Sequence, residues 1–262
     1  ALPLLLSKEK RASEMTDLAA LAKAAEQTDG SLLGTFTGED LVETFAPYFM
    51  PDIIKDKQLD TEKLRTVLQE LQTIAAHCDM VEKYKKGERA SNEWDLPSAM
   101  QAVLCQISGF NDAMFDLAII NLVKGDYTSF ENAYIPTVEI GVNANTKQAD
   151  LAKEFAAFVM SREVQDGDFY DGFPVNKESL HMQVSLDRSD YAAYTTIEGA
   201  DGQEIGLDIE PIKAADADKL EALCDSLSKK TVKDAKVLEE LKKSVPDYLL
   251  GRQSLDDTIS KI

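Results

Sequence analysis

The sequence predicts a helix-rich α/β fold, and three observations carry that expectation. Over residues 137–142 the apolar residues Val138, Ile140 and Val142 alternate with others, the period of a half-buried strand. After an Asn143-Ala144-Asn145-Thr146 turn the period changes. Leu151, Phe155, Phe158 and Val159 then fall on one helical face. The cleanest amphipathic helix spans about residues 61–78, where Leu64, Val67, Leu68, Leu71, Ile74 and Ala75 share a face. Ile205, Leu207 and Ile209 alternate opposite the Tyr194-Thr195-Thr196-Ile197-Glu198 run, across Gly199 to Gly202, which predicts a hairpin.

Taken in order, residues 2–6 form a short apolar run interrupted by Pro3, read as a segment leaving a neighbouring domain. Ser13 is expected to cap a helix whose Met15, Leu18, Ala19, Ala22 and Ala25 share a face, ended by Asp29-Gly30. Thr37 with Asp40 resembles a capping box and opens a second helix carrying Leu41, Val42, Phe45 and Phe49 before Pro51. The charged, turn-rich residues 82–92 read as a surface connection. Pro97 in a first turn predicts a short helix to about Ile107. The continuous apolar run over residues 117–123 predicts a strand covered on both sides, stopped at Lys124-Gly125. Tyr127, Phe130 and Tyr134 then fall in a loop.

Beyond the central strand and helix, with Thr146 as its expected cap, Ser161 signals a second short helix, and the Asp171 to Lys177 stretch reads as a turn with an extended continuation. Helices carrying Leu220, Leu223 and Leu227, and Leu238, Leu241, Val245 and Leu249, follow the hairpin. Pro246 is expected to kink or end the second, and Leu255, Ile259 and Ile262 mark a short terminal helix.

Bulk properties bound the function. The 262 residues, 44% of them apolar, suffice for one large or two small cores. A formal charge of −19 opposes phosphate backbones and anionic membranes, so no nucleic-acid partner is expected. Cys78, Cys105 and Cys224 are odd in number and lack a Cys-x-x-Cys spacing, which argues for buried thiols rather than a disulfide framework or zinc ribbon.

Catalytic signals are weak. His77 and His181 are the only histidines, with no Gly-x-Ser-x-Gly elbow and no His-Glu-x-x-His pair, so no catalytic residue is assigned. Asp166, Asp168 and Asp171 invite a calcium reading, yet Asp171 and Lys177 occupy the positions where an EF-hand needs Gly and Glu, and no metal is expected. Gly167 to Gly172 has a phosphate-loop interval, but Phe173 and Pro174 replace Lys and Ser/Thr, so no nucleotide or other cofactor is expected. What remains is binding. A sugar offers apolar C–H faces and a girdle of hydroxyls, so its site wants flat aromatics beside carboxylates and amides. Trp94 between Asn92 and Asp95, with Tyr134, Tyr170 and Phe173 in turns, are the candidate ligand-binding residues. Each aromatic has a plainer alternative, sealing a loop onto the core.

A run of features in order adds to this: Ile140-Gly141-Val142-Asn143-Ala144, the helix from Asp150 to Phe158, the junction Met160-Ser161-Arg162-Glu163-Val164-Gln165, the corner Gly172-Phe173-Pro174-Val175-Asn176-Lys177, and the tail Gly251-Arg252-Gln253-Ser254-Leu255. In these the chain resembles the bacterial extracellular solute-binding proteins that feed ABC importers, in particular the sugar-binding, maltodextrin-binding-protein-like group. The resemblance implies a type II periplasmic-binding-protein-like fold, of which this chain is the C-terminal portion with an incomplete N-terminal lobe. Residues 1–133 would form the helix-rich second lobe, 134–180 a strand-helix crossover segment, and 181–262 the hairpin and C-terminal helical bundle. It further implies a monomer, outside the membrane as a periplasmic or lipid-anchored cell-surface protein, that binds a carbohydrate and delivers it to ABC permease subunits without catalysis. Alternatives from the residues themselves are a helical protein-interaction module and an enzyme with a pocket of converging acids.

Overall fold

A strand the sequence reading left unassigned, β1 (Leu2–Ser7), lies at the centre of the molecule. All six of its residues are buried, and it pairs antiparallel with β6 (Ala102–Ile107) on one side and β7 (Asp126–Ser129) on the other, with Leu4 opposite both Cys105 and Ser129. A computed structural model describes residues 1–167, 172–187, 192–199 and 202–262, and shows a mixed α/β chain with small sheets. Period two explains the double burial of β1. Leu5 joins the core on one face, while Leu2, Leu4 and Leu6 join the core on the other.

The first core sits among α1 (Leu18–Ala25), α2 (Gly38–Ile53) and α3 (Thr61–Ala76), closed by α9 (Ala235–Ser244), α10 (Pro246–Leu249) and α11 (Leu255–Ile259). Leu64, Leu68, Leu71 and Ile74 of α3 are fully buried, as their spacing predicts. Phe130 packs edge-on against Phe45 and Tyr48, with ring centroids 5.9 and 5.2 Å apart. The second core lies between the three-stranded sheet, α4 (Phe110–Val123), α8 (Ala214–Ser226) and the hairpin of β9 (Ala193–Glu198) and β10 (Glu204–Ile209). The hairpin is antiparallel as expected; two residues of its turn, Ala200 and Asp201, lie outside the described residues.

Shorter pieces complete the chain. β2 (Thr35–Thr37) runs parallel to β5 (Asp79–Val81), β3 (Ile54–Lys55) turns back on β4 (Gln58–Leu59), and β8 (Ala133–Tyr134) runs parallel to β11 (Lys229–Lys230). α5 (Ala149–Val159), α6 (Arg162–Gln165) and α7 (Lys177–Val184) follow β8.

Several expectations are corrected. The run over residues 117–123 is helical, as part of α4. A short apolar stretch reads the same in a buried helix and a buried strand, and Phe110, Ala113, Met114, Leu117 and Ala118 at helical spacing decide it. The helix expected to end near Ile107 gives way to a 3-10 turn, Glu93–Asp95, and then to β6, because β1 offers it a pairing edge. α1 is capped by Asp17, whose carboxylate accepts from the Ala20 amide at 2.8 Å, and not by Ser13. α2 starts at the predicted Thr37 cap but runs through Pro47 and Pro51. α7 begins at Lys177, capped by Asn176, where an extended piece is expected.

The largest departure is at residues 137–142, which form no strand. They have no regular secondary structure, pair with no strand among the described residues, and leave Val138 78% exposed, with Ile140 and Val142 also exposed. α5 forms as predicted, with the Thr146 hydroxyl accepting from the amide of Gln148, the residue before its first turn, at 3.1 Å, yet has no buried residue; Leu151, Phe155 and Phe158 of its apolar face are exposed.

Candidate functional site

The crossover out of the body is set by hydrogen bonds at Tyr134 and Ile135. The Ile135 amide donates to the Ala1 carbonyl at 3.0 Å, and the Tyr134 carbonyl accepts from the Thr231 amide at 3.0 Å and its hydroxyl at 3.2 Å. Ile135 therefore stands between two depressions, about 470 Å³ on one side and about 310 Å³ on the other.

The larger is walled by α2, the open face of β6, and the chain after β11: Glu43, Thr44, Pro47 and Tyr48, then Leu104 and Gln106, then Thr231 and Lys233. Local sequence builds this wall. Pro51 has no amide to give the Pro47 carbonyl, which accepts instead from the Val232 amide at 3.0 Å, and that bond draws residues 231–233 against α2. Pro47 likewise has no amide to give the Glu43 carbonyl. In β6 the alternation puts Gln106 outward between buried Cys105 and Ile107.

Electrostatics fix the groups. Glu43 receives Lys242 Nζ at 2.6 Å and Lys233 Nζ at 3.5 Å, and the Lys242 bond holds its carboxyl below the usual range, so it remains a carboxylate. Gln106 lies over Tyr48, whose buried hydroxyl makes no hydrogen bond of standard geometry and is pushed up by burial. Carboxylate, carboxamide, hydroxyls and an ammonium thus converge beside the apolar surfaces of Pro47, Leu104 and Ile135. Such a set can donate to and accept from a polyhydroxylated solute while covering a C–H face.

The smaller depression brings two predicted residues together, Tyr134 and Phe173, with Leu2, Leu180, Cys224 and the Lys177–Asp225 pair at 2.6 Å. Phe173 packs edge-on against Phe110 at 5.1 Å, so its ring serves the core. Asn92, Trp94 and Asp95 stand apart from both depressions. Asn92 caps the 3-10 turn, accepting from the Trp94 amide at 3.2 Å, while Asp95 accepts from the Asn92 amide at 3.0 Å and from Arg89 at 2.9 Å. Their polar groups are engaged within the loop. Trp94 is half-buried against Phe115, centroids 6.1 Å apart, and seals the loop on the core. Tyr170, Asp168 and Asp171 lie outside the described residues. Among the described residues no cluster of three or more His, Cys, Asp or Glu could hold a metal, the three cysteines are free, and no helix is long and apolar enough to cross a membrane.

Sequence reasoning missed Glu43, Tyr48, Gln106, Thr231 and Lys233. Two prolines inside one amphipathic helix were the available signal, since each frees a carbonyl that something else must meet. No protein-family model matches the chain, and no curated protein matches it.

Proposed function

We propose that this chain is part of the solute-binding component of an ABC-type importer, capturing a sugar or oligosaccharide outside the membrane and passing it to permease subunits without chemical change. The observation that carries this reading is the wall of Glu43, Gln106, Thr231 and Lys233 at the root of a segment whose alternating residues 137–142 and helix α5 leave their apolar side chains exposed among the described residues. An alternating strand followed by an amphipathic helix is the unit from which an α/β sheet is built, and such a unit is stable against a sheet edge with an apolar surface. In this reading residues 137–160 belong to the first lobe of a type II periplasmic-binding-protein-like fold, which closes over the wall of the helix-rich second lobe from the Ile135 side. One wall of a cleft gives few contacts, so affinity in this chain alone is low.

The test is a ¹⁵N-edited titration with mono- and oligosaccharides. Saturable shifts confined to residues 43–48, 104–106 and 231–233 at millimolar sugar are expected, with a Kd of about 1 mM or weaker. Shifts confined to Trp94 and its loop, or none for any sugar, would remove the reading. The exposed face of α5 favours one other reading, a helical module that holds a protein partner without a small molecule. In that case α5 variants abolish a partner's binding while the wall shows no response to sugar.

A further inference from the structure

We infer that the solute taken at this wall is an acidic sugar whose carboxylate is received by Lys233. The inference rests on the sugar reading above and narrows it. Glu43 and Lys233 are the two charged side chains that line the depression, and they are not equivalent. Glu43 is committed to Lys242 at 2.6 Å. Lys233 reaches Glu43 only at 3.5 Å, the limit of a hydrogen bond, and its side chain is 63% exposed.

An ammonium has three donors, and one long contact leaves the others free for solvent or for an anion at the mouth. Glu39 and Asp40, one turn earlier on α2, do not line the depression. They act on Lys242, and Asp40 also accepts from the Thr37 hydroxyl at 2.7 Å. The wall therefore offers one ammonium with spare donors, set beside the Gln106 amide and the Thr44 and Thr231 hydroxyls that suit ring hydroxyls. A monoanion matches one such cation. A phosphate dianion would bring a second charge with no second cation, into a protein of net charge −19.

The experiment uses the whole 262-residue chain, ¹⁵N-labelled, titrated separately with glucuronate, glucose, glucose 6-phosphate and acetate. Glucuronate is expected to shift the Gln106, Thr231 and Lys233 amides and to bind about three- to tenfold more tightly than glucose. Lys233→Gln should bring glucuronate to the level of glucose, and Lys233→Arg should retain most of the difference. Equal or tighter binding of glucose at the same residues, or an unaffected Lys233→Gln, overturns the acidic-sugar inference and leaves the sugar reading standing. Tighter binding of the phosphate ester, or acetate matching glucuronate, overturns it as well, since the anion or the ring would then be wrong. No response to any sugar overturns both.

Discussion

Asp116 on α4 is 7% exposed, with the Cys105 thiol 3.3 Å from its Oδ2, and burial raises its carboxyl to about 7, the neighbouring Glu93 and Asp112 adding to the shift. A carboxyl raised in the folded state binds a proton that the unfolded chain has already lost. Its stabilising contribution is complete below the ordinary pKa of about 3.8 and is lost as pH rises through about 7. Asp116→Asn removes that dependence. Urea unfolding of the two proteins should therefore diverge between pH 4 and pH 7, the variant gaining on the order of 3 kcal/mol, and run parallel above pH 8. Parallel curves throughout would mean that Asp116 is solvated. Residue-scale reading from sequence was weakest here and at the candidate site. Asn92, Trp94 and Asp95 had the right chemistry for a sugar, but a 3-10 turn needs a cap and a loop needs an anchor, and those needs take up the same groups.

At the scale of elements, legibility followed amphipathicity. α3, the hairpin and the Thr37 end of α2 were readable because one face of each is buried and the other wet. β1, β6 and α4 were not, since burial on nearly all sides erases the period that separates strand from helix. Thr37→Ala, which removes an acceptor for the Asp40 amide at 3.2 Å, is expected to cost about 1 kcal/mol in chemical denaturation. The contrast between two apolar faces is sharper. Leu68→Ala on α3 should cost about 2–5 kcal/mol, whereas Phe155→Ser on α5, where the ring is 61% exposed, should stay within about 0.5 kcal/mol of the parent. A large loss at Phe155 would show that α5 packs against the body in solution.

For the whole molecule, the organising fact is that the body closes its two cores without residues 137–160. Its links to the described residues include the chain connections, the Glu139–Lys230 ion pair and the carbonyls of Val159 and Met160, which accept from Gln165 and Asn176, and none of its residues joins either core. Replacing residues 139–158 by a Gly/Ser linker of similar reach should leave a single cooperative unfolding transition, shifted by about 1 kcal/mol or less in differential scanning calorimetry. That a strand and a helix exist in the sequence pattern but only the helix forms has a physical cause. A helix satisfies its own amides and carbonyls, while a strand needs a neighbour to do so, and among the described residues no strand reaches residues 137–142.

The unpaired backbone of residues 137–142 also bears on handling the protein. Val138, Ile140 and Val142 stand out along an uncovered edge, interrupted by a single carboxylate, that of Glu139, and the ammonium of Lys230 neutralises it. Such an edge is a template for adding the same segment from another molecule, in register, without any prior unfolding. Thioflavin-positive fibrils are therefore expected in concentrated stocks incubated under native conditions, and Ile140→Lys is expected to suppress them.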